Sequence, residues 1–140
     1  MKIQQINRGD AEKVFVQGYN DTGAAISAGY MVCAHVRTAA SANGSSVEKP
    51  VTSALPAFMG VADADTAASG YVPVQVYGYS NKAYVSASGG ETVAPGQVVG
   101  PVTGQWYLNS AGQSTNLGPA IIMSQRAGGA AANPVFIRAL

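Results

Sequence analysis

The chain has 140 residues, a formal net charge of +1 and a single cysteine, Cys33. That length fits one domain with a core of ordinary size. Eight basic against seven acidic residues give no field that would gather nucleic acid or an acidic membrane, and one cysteine excludes an internal disulfide framework.

Only 11% of residues are charged, against a usual level of about 25%. Gly, Ala, Ser, Thr, Val and Asn take the place of Lys and Glu, and no charged residue occurs from Thr92 to Gln125. Such a composition makes a poor surface for a solvated monomer and suits a subunit largely covered by neighbours. No uninterrupted apolar stretch approaches the roughly 20 residues that span a bilayer.

Residues 1–12, MKIQQINRGDAE, place Lys2, Arg8, Asp10 and Glu12 around Ile3 and Ile6. The segment lacks the apolar h-region of a secretory signal. It is either a frayed terminus or an arm that orders against a partner, and in the second case Ile3, Ile6 and Arg8 are its contact residues. The rest, 13–140, is expected to form a single β-sandwich domain.

Helical periodicity is nearly absent. The best helical windows, Asp63–Ser69 and Arg126–Ala132, are short, rich in Ala and interrupted by or abutting Gly. Strand signals recur about every ten residues, at Lys13–Tyr19, Tyr30–Arg37, Ala57–Ala62, Tyr71–Tyr79, Lys82–Ala87, Gln97–Val102, Gln105–Asn109, Pro119–Ser124 and Pro134–Ala139. Short strands separated by turn residues predict an all-β sandwich or barrel and not a parallel α/β sheet. Tyr79-Ser80-Asn81-Lys82 is a candidate tight hairpin, and Val102-Thr103-Gly104-Gln105 is another. ISAGYMV (26–32) and VAPGQVV (93–99) share one turn pattern, with TAASGYV (66–72) a looser copy, and in each a glycine allows a tight turn before a strand. Ala39–Ser46, AASANGSS, reads as a small-polar loop.

The stretch YVPVQVYGY, 71–79, has two different faces. Val72, Val74 and Val76 share one parity and suit a core, while Tyr71, Gln75, Tyr77 and Tyr79 share the other. That second face holds no charge. Aromatic rings with a polar tip are what a strand presents to another protein or to a sugar.

Catalytic and metal-binding patterns are thin. Cys33 and His35 share a strand face, but no acid lies near them in sequence to orient the histidine, and one Cys with one His supplies too few ligands for zinc. Asp63 and Asp65 form a D-x-D without the further oxygen ligands of a calcium loop, and are expected to cap a turn or a short helix. Ser46-Val47-Glu48-Lys49 matches S-x-x-K by letter, in an expected loop, without its partner motifs. Trp106 and Tyr107, adjacent in an expected strand, cannot both point inward, so one joins the exposed aromatics. The expectation is a protein without enzymatic activity and without a cofactor or metal.

Residues 57–85, AFMGVADADTAASGYVPVQVYGYSNKAYV, and the closing NPVFIRAL, 133–140, resemble segments of the small cement or decoration proteins of tailed-phage heads. The chain length is similar to that of the cement proteins of short-tailed Bordetella phages. The resemblance implies a β-sandwich of jelly-roll type that sits on the outer capsid surface and bridges major-capsid subunits. It implies a homo-oligomer, a dimer in preference to a trimer, assembled in the host cytoplasm and carried on the virion, with no nucleic-acid or membrane partner. Tyr71, Gln75, Tyr77, Tyr79, Trp106 and Tyr107 are the expected contact residues beside the arm. The alternative is a carbohydrate-binding β-sandwich of a head fibre or adhesin, with Trp106 as a stacking platform and Asp63, Asp65 or Asn109 as hydrogen-bond partners.

Overall fold

The computed structural model describes residues 12–35, 45–87, 92–110 and 119–139, and its regular structure is almost all strand. In chain order the strands are β1 (Val14–Asn20), β2 (Met31–Ala34), β3 (Ser46–Glu48), β4 (Phe58–Ala62), β5 (Tyr71–Ser80), β6 (Tyr84–Val85), β7 (Thr92–Val93), β8 (Val98–Pro101), β9 (Leu108–Asn109), β10 (Ala120–Ile122), β11 (Arg126–Ala127), β12 (Ala131–Ala132) and β13 (Val135–Arg138). One 3-10 helix, Thr52–Ala57, interrupts them between β3 and β4. Each expected strand window contains a strand, and the chain is all-β.

The first five strands close on themselves. Their order is β1-β3-β2-β4-β5, and β5 returns to pair with β1, which makes a small barrel. Alternation along each strand fills it: Val32, Val47, Ala62, Val72, Val74 and Val76 form one buried cluster with Ile26, and Val14 and Val16 pack against it. Burial of each such valine contributes about 1.5 to 3 kcal/mol.

β5 is ten residues long and serves two layers. β4 pairs with it at Val74 and Gln75, and β13 takes over from Tyr77 to Ser80. From β13 the sheet continues through β10, β8, β9, β6 and β12, while β11 and β7 form a separate two-stranded piece. Met31 and Val61, adjacent in sequence to the barrel-filling Val32 and Ala62, face the other way. They join a second core with Val85, Val99, Leu108, Ile122, Val135 and Ile137. The second sheet is therefore laid against the outside of the barrel wall.

Several expectations are corrected. Tyr79–Lys82 is not a hairpin turn, because β6 pairs with β9 and β12 and not with β5. At the turn the Ser80 hydroxyl accepts the Lys82 N–H at 3.3 Å, and β6 is directed away into the second core. Neither helical window is helical. Residues 63–69 form turns and a bridge, and 126–132 contain β11 and β12. Their Ala content favours a helix, but Gly70, Gly128 and Gly129 break the period and the flanking strands set the backbone. Ser46–Glu48 is a buried strand and not a loop, held by Val47 in the barrel core. The expected turn Val102–Gln105 does form, with Gln105 N–H donating to Val102 C=O between the paired β8 and β9.

Candidate interaction surface

Two neighbouring strands present the tyrosine face. β1 repeats the alternation of β5: Val14 and Val16 turn inward, leaving Phe15, Gln17 and Tyr19 outward. Tyr19 lies opposite Tyr71 in register, and their rings meet edge to face at 5.5 Å. Tyr71 is 65% exposed and Phe15 45%, an unusual load for large rings. Across β5 the face runs into the second sheet. Phe136 lies opposite Tyr79, Ile121 opposite Phe136 and Val98 opposite Ile121, all half-buried, and the Tyr77 ring meets Phe136 edge to face at 5.2 Å. Arg138, in register with Tyr77, brings a charge to this row.

Gln75 leaves this set. It is 2% exposed, at the junction where β4 hands β5 over to β13, and its amide donates to the carbonyls of Tyr77 at 3.2 Å and Tyr79 at 3.0 Å. Those bonds brace the strand beside Gly78, whose φ of 101° lets the Glu12 carbonyl lie where a side chain would be. A buried amide must find such partners, so Gln75 is structural.

Trp106 sits elsewhere. It packs against the barrel core, stacked on Tyr30 with centroids 5.0 Å apart and planes at 17°, while Tyr30 meets Tyr84 edge to face at 5.5 Å. The Lys49 ammonium lies over the indole at 5.4 Å. Among the described residues no ring contact joins Trp106 to the tyrosines of β5. Tyr107 is half-buried and precedes β9, so strand alternation does not govern it. Ile3, Ile6 and Arg8 lie outside the described residues.

Phe15, Tyr19, Phe136 and Ile121 are surface residues that the choice of one strand missed. The same test of parity finds them. VFVQGYN and VFIR alternate as YVPVQV does.

His35, Asp63 and Asp65 each have a local partner. His35 Nδ1 and Asp21 Oδ2 are 2.6 Å apart, and Nε2 is 4.0 Å from Glu48, so the imidazole joins the ends of three barrel strands. Asp63 pairs with Lys82 at 2.9 Å, and Asp65 accepts the Ala28 N–H at 2.8 Å, a turn-fixing role. No group of three or more metal-ligating side chains occurs among the described residues.

Cys33 is fully buried, and its thiol is pushed up to about 12 by burial and, second, by the Glu48 carboxylate. The resting thiol is therefore protonated and a poor nucleophile. The unfolded thiol ionises near its ordinary value of 9.0. A folded pKa raised above the unfolded one gives stability that is complete below pH 9 and lost as pH rises toward about 12. Within that window the Cys33 share of the decline approaches about 1.4 kcal/mol per pH unit. Urea titrations from pH 8.5 to 10.5 should show a shallower decline for Cys33→Ala than for the wild type, and an aromatic disulfide reagent should label native Cys33 only as the protein unfolds.

In comparison with known proteins, no family model and no curated protein matches the chain.

Proposed function

We propose that the chain is a structural protein of a phage virion. It binds the outer surface of the assembled head as a homo-oligomer and cements neighbouring major-capsid subunits. The observation that carries this reading is the aromatic face of β1, β5 and β13, with Tyr71 and Phe15 exposed and no charge among Phe15, Gln17, Tyr19, Tyr71, Tyr77 and Tyr79. Monomeric proteins rarely leave such rings to water, and interface cores favour them while excluding charge. The resemblance of residues 57–85 and 133–140 to capsid decoration proteins selects the capsid as the partner.

The mechanism is thermodynamic. A subunit that binds the assembled shell and not its separated parts shifts the equilibrium toward the shell. Many copies, each touching more than one capsid subunit, multiply a modest contact through multivalency. A jelly-roll form of the fold belongs to the same proposal, supported by the second sheet facing the barrel wall across a shared core. A sugar-binding role draws less support, because Tyr30 already stacks on the Trp106 indole.

Co-sedimentation with phage heads stripped of decoration tests the proposal. Saturable pelleting with expanded shells and not with unexpanded ones is expected, and hydroxyl-radical labelling of Tyr71 should fall several-fold on the shell. Absence of pelleting with either form would remove the capsid as partner.

A further inference from the structure

The strands beyond β5 rebuild the barrel, and the registers agree residue by residue. Met31 lies opposite Val61 and Val32 opposite Gly60, as Val98 lies opposite Ile121 and Val99 opposite Ala120. Cys33 and Ala34 meet Glu48 and Val47, as Gly100 and Pro101 meet Asn109 and Leu108. Val61 and Ala62 meet Gln75 and Val74, as Ile121 and Ile122 meet Phe136 and Val135. β1 runs parallel to β3 with Asn20 opposite Val47, and β6 runs parallel to β9 with Val85 opposite Leu108. The closure recurs as well: Tyr19 pairs with Tyr71 at the head of β5, and Tyr84 with Ala132 on the approach to β13.

Turns and cores repeat with the strands. Gly29 N–H donates to Ala62 C=O and Gly96 N–H to Ile122 C=O, each at 2.8 Å, and the N–H groups of Asp63 and Met123 reach the carbonyls of Pro73 and Pro134 at 2.8 and 2.9 Å. Ile26, Val32, Val47, Ala62, Val74 and Val76 are buried together in the first barrel. Their counterparts Val93, Val99, Leu108, Ile122, Val135 and Ile137 are buried together in the second core. Alternation of apolar residues permits any even register, so shared valines alone would not produce this agreement. The counterparts β5 and β13 pair with each other, antiparallel, and the register centres on Tyr77 opposite Arg138, themselves counterparts. Gly78 opposite Ile137, Tyr79 opposite Phe136 and Ser80 opposite Val135 then follow from a two-fold axis at that pair. We infer that the chain is a tandem duplication of one five-stranded barrel about an internal two-fold axis, and that the copies have divided their work, with the partner contact on the first. Core positions agree between the copies, but an outward one does not. Tyr71, 65% exposed, answers to Ala132, which is also exposed. Among the described residues two of the three exposed large apolar side chains, Phe15 and Tyr71, stand on β1 and β5. A backbone present twice with the ring present once places recognition in the side chain and not in the shape of the barrel. The division rests on the proposed function for its partner and adds which half of the chain meets it.

Spin labels on the full chain decide the duplication. Gln17 and Lys82 are exposed counterparts, as are Ala67 and Ala127, and native Cys33 is buried and does not compete for label. The two-fold axis makes the distance between labels at Gln17→Cys and Ala127→Cys equal to that between Lys82→Cys and Ala67→Cys. Clearly separated distance distributions for the two pairs would overturn the duplication. Exchange of the ring decides the division. On expanded shells Tyr71→Ala should bind about tenfold more weakly than the wild type, and Tyr71→Ala/Ala132→Tyr should stay as weak. Far-UV dichroism matching the wild type keeps a lost contact apart from a lost fold. Full recovery in the exchange variant would mean that both copies meet the partner alike, and undiminished pelleting of Tyr71→Ala would take the contact off the first copy. Either result overturns the division. A wild type that pellets with no shell removes the capsid reading and the division with it, while the label distances still decide the duplication.

Discussion

Gly29→Ala is expected to cost at least about 3 kcal/mol, whereas Gly96→Ala, in the same sequence pattern, should cost about 1 kcal/mol. Both glycines occupy the same place in a four-residue turn. Tyr30 N–H donates to Ser27 C=O and Gln97 N–H to Ala94 C=O, each at 3.1 Å, and the glycines have φ values of 87° and 84°. The left-handed backbone alone therefore penalises any side chain about equally at the two sites. Surroundings separate them. A Cβ at Gly29 would come within 2.2 Å of the Lys82 carbonyl oxygen and 2.7 Å of the Tyr84 ring, while at Gly96 nothing lies within 4 Å. Lys82 O is backbone and cannot swing aside, and the Gly29 C=O is tied to Tyr84 N–H at 2.9 Å, so relief would tear the turn from the start of β6. The third copy of the pattern extends the series. Its turn is shifted by one residue, with Gly70 N–H donating to Ala67 C=O and the positive φ of 60° falling on Ser69. Ser69→Gly should therefore stabilise by up to about 1 kcal/mol. Urea unfolding of the three variants checks the order. Equal losses at Gly29 and Gly96 would mean that the close approach to Lys82 is relieved at no cost.

Those turns also show what the sequence could and could not convey. The glycine pattern announced tight turns before strands, and alternation in YVPVQVYGY and eight other windows located strands, because both are local consequences of backbone geometry. Pairing was not local. Nothing in Tyr79-Ser80-Asn81-Lys82 says that β6 abandons β5 for β9 and β12, a choice made by the burial of Val85 in the second core. The two-residue strands β7, β11 and β12 are too short to show a period and exist through their partners. The candidate surface was half legible for the same reason. Tyr71, Tyr77 and Tyr79 follow from parity. The withdrawal of Gln75 depends on where β4 ends and β13 begins along β5, which only the assembled sheet determines.

Trp106 carries the second large effect, and its direction separates a packing role from a contact role. Trp106→Ala is expected to destabilise the fold by about 3 kcal/mol, near the lower end for a large aromatic because the indole is only half-buried. The loss has identifiable parts. The ring packs against the barrel core, stacks on Tyr30 at 5.0 Å and receives the Lys49 ammonium at 5.4 Å. A stacked pair contributes about 0.5 to 1.5 kcal/mol beyond its area, and an exposed ammonium over an aromatic face about 0.5 to 1 kcal/mol. Removing the indole also strips Tyr30 of the neighbour that holds it against Tyr84. Trp106→Phe, which keeps a ring in place, should lose about 1 kcal/mol. Because Trp106 is the chain's one tryptophan, far-UV dichroism and not fluorescence must follow the unfolding. Well below the midpoint, the folded Trp106→Ala protein should still pellet with expanded shells as the wild type does, while Tyr71→Ala, whose ring is 65% exposed, should keep its stability and lose affinity. The reverse result, full stability with lost pelleting in Trp106→Ala, would move the partner surface from the β1–β5 face to the indole.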